Sequence, residues 1–303
     1  MFLLASHAAR WVVLAVAVVA LGACGPTASA PSSSSGAPIP VLGAENFYAD
    51  LLAQIGGSRV TASSILSDPS ADPHEYEASP AAAKLVADSK LVIINGIGYD
   101  DFMDKLLGAS TKPDRIVIRV EEMLGVKDDV NVHVWYDPAT MPKVADAAAA
   151  ALSKLDPQNA AYFSEQKAKY LAALKPVNDK IAAMKARSAG APIAFTENVA
   201  GYLTDAIGLK VLTPPSFMEA IESGTDPAPA DVAAERDLLT GRKVNALLYN
   251  SQVTSPLTEQ IRDLATKSNV PVVAVAETIP PSYKTFQEWQ LAQLDELERA
   301  LAK

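Results

Sequence analysis

The 303-residue chain contains one cysteine and three histidines, and aromatic residues make up only 6% of it. With no second cysteine an internal disulfide is excluded, so stability has to come from buried apolar surface, which the 49% hydrophobic content permits. The formal charge of −9 argues against nucleic acid as a partner, because phosphates are held largely by lysine and arginine. No G-x-x-x-x-G-K-[ST] occurs, so the chain has no P-loop with which to hydrolyse ATP. H-E-x-x-H and G-x-S-x-G are also missing, which disfavours a secreted metallohydrolase and the usual serine hydrolase.

What is present begins with M-F-L-L-A-S-H-A-A-R and the apolar run W-V-V-L-A-V-A-V-V-A, the layout of a secretory signal and too short to span a bilayer stably. The run ends in L-G-A-C, which resembles the lipobox of bacterial lipoproteins and marks Cys24 as the residue acylated after cleavage. A plain signal peptide with an incidental cysteine is the alternative. Residues 24–40 are rich in Ser, Pro, Ala and Gly and read as a flexible tether. The roughly 280 residues that remain after cleavage are comfortable for two lobes.

Short apolar runs then alternate with segments of helical periodicity, the pattern of strands buried between helices. K-L-V-I-I-N, R-I-V-I-R-V, A-P-I-A-F-T, L-K-V-L-T, V-N-A-L-L-Y-N and V-P-V-V-A-V-A read as strands. Ser79-Pro80, Asp137-Pro138 and Ser255-Pro256 each pair a capping side chain with a proline suited to the first helical position. The fold class is α/β with mainly parallel sheets. From Asp156-Pro157 to about Ser188 no strand pattern occurs, and a helical rod of roughly 45 Å is expected there, kinked at Pro176. The expected organisation is a signal (1–23), a tether (24–40), an N-terminal α/β lobe (41–155), a connecting helix (156–190) and a C-terminal α/β lobe (191–303).

His7 leaves with the signal, so a mature chain keeps His74, in D-P-H-E-Y-E, and His133, in V-H-V-W-Y-D-P. Either alone reads first as a satisfied structural histidine. Both, however, fall in loops at strand or helix ends, where α/β proteins assemble sites, and imidazole is a common ligand of divalent transition metals. Glu197 and Glu277 each follow a buried apolar run, an awkward place for an unpaired charge; helix-cap or surface carboxylates are the bland alternative.

The motifs D-P-H-E-Y-E, L-V-I-I-N-G-I-G-Y, V-H-V-W-Y-D-P, D-P-Q-N-A-A-Y-F and F-T-E-N-V-A-G-Y-L, in that order from about Val41 onward, resemble the metal-specific solute-binding lipoproteins of bacterial ABC importers for manganese, zinc or iron. The resemblance implies two α/β lobes joined by one long backbone helix, with the metal held between them. It implies His74, His133, Glu197 and Glu277 as ligands. Zinc-type members usually carry histidine where this chain has Glu197, so that position resembles the manganese type. The family usually has aspartate at the fourth position, and A-E-T-I-P-P around Glu277 departs from the common pattern. The ligand carried would be Mn2+ or Zn2+, with Fe2+ a further candidate, since two imidazoles and two carboxylates form a site of intermediate hardness.

The resemblance further implies no enzymatic activity and a monomer anchored through Cys24 at the outer face of the cytoplasmic membrane. Its partners would be an ABC permease and its cytoplasmic ATPase. Trp135, Tyr136, Asn198, Tyr202 and Asn250 read either as groups that orient ligands or as packing residues. A lipoprotein binding an iron chelate or organic solute is the alternative function, and it would need a wide pocket lined by aromatic and basic groups.

Overall fold

In the computed structural model, residues 37–69, 73–126 and 130–302 are described. The signal segment, Cys24 and nearly all of the tether lie outside them. No described helix is long and apolar enough to cross a membrane.

Eight strands make two four-stranded parallel sheets. The first contains β1 (Ile39–Glu45), β2 (Val60–Leu66), β3 (Leu91–Ile94) and β4 (Ile116–Arg119), in the order β2-β1-β3-β4. The second contains β5 (Pro192–Phe195), β6 (Lys210–Val211), β7 (Ala246–Asn250) and β8 (Val272–Val275), in the order β6-β5-β7-β8. Every pairing is parallel. β3 and β7 are buried at every position, as continuous apolar runs between helices should be. Each sheet reverses its strand order between its two central strands, β1 and β3 in one and β5 and β7 in the other. The crevice beyond the carboxyl ends of strands at such a switch point is where open α/β sheets bind ligands.

Six strands coincide with the apolar runs read as strands; β1, I-P-V-L-G-A-E, is a further buried apolar run that is not among them, and β2 has no such signature. β2 reads V-T-A-S-S-I-L, polar at its centre and half-buried along most of its length, because it is the edge strand beside β1.

Two of the three expected helix starts are made as written. Ser79 Oγ accepts the N–H of Ala82 at 3.1 Å, and Ser255 forms a capping box with Thr258. At Asp137-Pro138 the helix instead starts later, at Thr140–Leu155. Asp137 accepts the Ala139 N–H on its side chain (2.9 Å) and the Thr140 N–H on its carbonyl (3.0 Å). A local Asx turn has therefore taken the place of the cap.

The central rod is two helices in line, Ala160–Ala173 and Lys175–Ser188, interrupted at Leu174. Pro176 stands in the first turn of the second helix and cannot donate back into the first, which accounts for the break. The first half packs on the helices Asn46–Gly56 and Thr140–Leu155, the second on Gly201–Ile207 and Phe286–Leu301. One apolar core runs through both sheets, from Leu42 and Ile93 to Phe195 and Leu248.

Candidate metal centre

The loop Asn95–Tyr99 shows how local sequence shapes the site wall. Gly96 has φ +79°, and a Cβ there would lie 2.4 Å from a Glu121 carboxylate oxygen. Ile97 is also left-handed (φ 59°), a costly conformation for a β-branched residue, and its N–H is tied to Glu121 Oε2 at 2.6 Å. The turn delivers Tyr99 with its ring centroid 5.2 Å from that of His74 and 5.9 Å from that of His133.

All four expected residues converge. His74 sits on a single 3-10 turn, Pro73–Glu75, between β2 and the helix Pro80–Asp88. His133 precedes the turn Val134–Tyr136, Glu197 lies two residues beyond β5, and Glu277 two residues beyond β8. His74 Nε2 is 3.5 Å from Glu197 Oε1 and 3.4 Å from Glu277 Oε2. His133 Nε2 is 3.9 Å and 3.3 Å from the same two oxygens. The donor atoms, one per residue, lie within 4.8 Å of one another. Three of the four side chains are fully buried, and only His74 is partly open, at 18%. Such a space suits a bare ion; the wide, basic and aromatic pocket that a chelate would need is not what surrounds these four side chains.

The supporting contacts fix how each of these side chains is presented. Asn131 Oδ1 accepts both the backbone N–H of His133 (3.0 Å) and its ring Nδ1 (2.7 Å), while Asn131 Nδ2 donates to the carbonyl of Asn198 (2.7 Å). With both ends of the amide committed, Nδ1 is the nitrogen that donates to Asn131, and Nε2 is the one presented to the glutamates. Asn250 Nδ2 donates to Glu197 Oε2 and to Glu277 Oε1, both at 2.7 Å. Gln252 Oε1 accepts the N–H groups of Glu277 (2.6 Å) and Thr278 (2.9 Å), and its Nε2 reaches the carbonyl of Asp68 (3.4 Å) in the loop that bears His74.

Of the residues the sequence offered as orienting or packing groups, Asn250 orients directly. Tyr202 donates to Asn131 O at 3.0 Å, Asn198 holds Asn131, and Tyr136 donates to Ala276 O at 2.7 Å. Trp135 packs, with its ring 5.2 Å from His133 and 4.6 Å from Phe47. Asn131, Gln252 and Tyr99 were not singled out in the sequence. The N-x-H spacing at 131–133 is the available signal for the first and the end of L-V-I-I-N-G-I-G-Y for Tyr99; nothing local marks Gln252.

Electrostatically the cluster is a strained balance. Burial opposes charge on Glu277, but its hydrogen bonds to His133 and His74 prevail and hold its carboxyl below the usual range. Burial likewise pulls His74 down, and its bonds to Glu197 and Glu277 outweigh that and push the imidazole up to about 11. Glu197 moves up, chiefly through burial. One of its oxygens, Oε1, is buried and faces only the two imidazoles, at 3.5 and 3.9 Å. An acceptor held so loosely is the kind of atom a cation satisfies.

Two parallel sheets linked by a helical rod, with a buried histidine–glutamate cluster between their strand ends, define a solute-binding protein of the cation-capturing class. The chain belongs to the ZnuA family, described as zinc-uptake complex component A, periplasmic, whose model matches residues 41–300. It is accordingly a metal-binding solute-binding protein of an ABC importer and not an enzyme. Among curated relatives, the manganese ABC transporter substrate-binding lipoprotein PsaA of Streptococcus mitis is 24% identical over 312 aligned positions, covering 96% of this chain and 97% of its own. The manganese-binding lipoprotein MntA of Halalkalibacterium halodurans is 23% identical over 207 residues, 65% of this chain and 67% of its own. Among solved structures, the periplasmic zinc-binding protein TroA of Treponema pallidum superposes with a TM-score of 0.72 at 20% identity, covering 88% of this chain and all of its own. FpvC of Pseudomonas aeruginosa in complex with Mn2+ gives 0.70 at 21% identity, covering 88% and 98%.

Proposed function

We propose that the protein captures one divalent transition-metal ion, Mn2+ or Zn2+ with Fe2+ as a further candidate, on His74, His133, Glu197 and Glu277, and passes it to an ABC permease. The observation that carries this reading is the convergence of two imidazoles and two carboxylates from four separate loops, within 4.8 Å and largely shut off from water. An uncompensated pair of buried carboxylates would be costly; a dication neutralises both at once. The relatives named above are manganese- or zinc-binding by name, which supports the same cargo class.

The protein works outside the cytoplasm, and Cys24 would hold it by a lipid to the outer face of the cytoplasmic membrane. The chain itself supplies no P-loop, so a separate cytoplasmic ATPase would drive transport through the permease. Because two ligands precede the central rod and two follow it, loading ties the two sheets together and presents the permease with a changed surface.

The test is metal analysis of the purified protein, then titration of the stripped form with Mn2+ and Zn2+. One ion per chain is expected, and His74→Ala and His133→Ala should each abolish stoichiometric binding. Wild-type affinity in both variants would refute the ligand assignment, and binding of a chelate with no free ion would refute the cargo.

A further inference from the structure

Resting on the reading just given, we infer that Asn250 restricts Glu197 and Glu277 to one donor oxygen each, and thereby makes the centre a four-donor site that selects zinc over manganese beyond the ordinary preference of such ligands.

Asn250 closes β7, is fully buried, and is held on three sides. Its backbone N–H donates to Thr196 Oγ1 (3.0 Å), its Oδ1 accepts the N–H of Gln252 (3.0 Å), and its Nδ2 spends both hydrogens on the two carboxylates. Because Oδ1 is engaged by a backbone donor, the amide cannot flip to present oxygen to the glutamates. Glu197 Oε2 and Glu277 Oε1 are therefore occupied as hydrogen-bond acceptors on the side away from the imidazoles. Only Glu197 Oε1 and Glu277 Oε2 face His74 and His133.

The four facing atoms are within reach of one small ion: their nitrogen–oxygen separations are 3.3, 3.4, 3.5 and 3.9 Å, and all four lie within 4.8 Å of one another. Manganese is suited by six oxygen-rich donors, which this set could approach only by turning both carboxylates bidentate. Each such turn is resisted by a 2.7 Å bond to Asn250, which the oxygen must either keep on its second lone pair or give up, leaving a buried amide hydrogen without an acceptor. Zinc needs no such turn. Glutamate at position 197 thus supplies an oxygen without supplying two, which separates this site from what its ligand types alone suggest.

The experiment compares Zn2+ and Mn2+ affinities by competition titration in the wild type and in Asn250→Leu, which keeps bulk and removes both donors, with Asn250→Ala as a second variant. X-ray absorption of each loaded protein is recorded alongside. The wild type should show four nitrogen or oxygen donors around zinc. The variants should narrow the zinc-to-manganese ratio at least tenfold and gain donors in the metal shell. A folded variant whose ratio stays within twofold of wild type overturns the inference, as does a wild-type zinc shell of five or six donors, a result that needs no variant to fold. Failure of the wild type to bind either ion removes the proposed function and this inference with it, whereas stoichiometric binding with an unchanged ratio removes only the role of Asn250.

Discussion

Asn46 and Ile279 are joined as two backbone strands would be: Asn46 Nδ2 donates to the Ile279 carbonyl at 3.0 Å, and the Ile279 N–H donates to Asn46 Oδ1 at 2.8 Å. Asn46 opens the helix after β1, in the first half of the chain, whereas Ile279 lies two residues beyond Glu277. With Tyr136 holding the carbonyl of Ala276, the loop that bears Glu277 is fastened on both sides by the opposite half of the molecule. Glu277 therefore follows the second sheet in sequence and is fastened to both halves, its own N–H and carboxylate by Gln252 and Asn250 and its neighbours by Tyr136 and Asn46.

Replacing Asn46 by Ala should accordingly lower both stability and metal affinity. Two partly buried hydrogen bonds are lost and two backbone groups are left unpaired, a cost of about 1–3 kcal/mol. Urea unfolding measures the first effect and titration of the stripped protein the second. An unchanged midpoint together with unchanged affinity would show that the loop is held by other means.

Asn131→Ala tests the tautomer argument. Without the acceptor at 2.7 Å, His133 is free to place its proton on Nε2, the nitrogen that faces the glutamates. Metal affinity should fall about 10–100-fold while the thermal unfolding midpoint moves little. If affinity is untouched, the orientation of His133 is set by its packing on Trp135 and Tyr99 alone.

Metal capture should release protons. The metal-free imidazole of His74, pushed up to about 11, is charged throughout the neutral range, and an ion must displace that proton to reach Nε2. Affinity should thus fall as pH falls, by about tenfold per unit for the one proton. Calorimetry in buffers of different ionisation enthalpy would count the protons released, and a pH-independent affinity with no release would contradict the charge state assigned to His74.

A second buried acid pair predicts a stabilising substitution. Burial, and then the neighbouring Asp100 charge, push Glu45 well up, and burial raises Asp100 to about 6 although it accepts the N–H groups of Asn95 and Gly96 at 2.7 Å. A carboxyl whose folded value lies above its unfolded one holds more protons when folded, so its contribution is favourable at pH 4 and is lost as pH rises through about 6. Glu45→Gln should raise stability at pH 8 by on the order of 1–3 kcal/mol and change it little at pH 4.5. Denaturant unfolding at the two pH values decides this, and a variant less stable than wild type at pH 8 would count against it.

The apolar runs mark six strands, most plainly the central ones covered on both faces, L-V-I-I and A-L-L-Y-N. β2 escaped because an edge strand tolerates serine and threonine at its centre. The delayed helix start at Thr140 was equally illegible, since Asp137-Pro138 serves an Asx turn as readily as a cap. Glu197 and Glu277 stand out because charged groups are conspicuous at the ends of apolar runs, and His74 and His133 because histidine is rare here and both sit in the motifs D-P-H-E-Y-E and V-H-V-W-Y-D-P.

Sequence alone thus determined the α/β class and the helical rod, since these depend on periodicity, a local property, while its motifs, through the resemblance they carry, pointed to His74, His133, Glu197 and Glu277 as candidate donors. Tertiary structure decided how the donors are used. Which nitrogen of His133 faces the glutamates, which oxygen of each glutamate faces inward, and how the Glu277 loop is tied across the molecule depend on Asn131, Asn250 and Asn46. Asparagine amides are ordinary in sequence and gain meaning only from the partners that folding brings to both their ends.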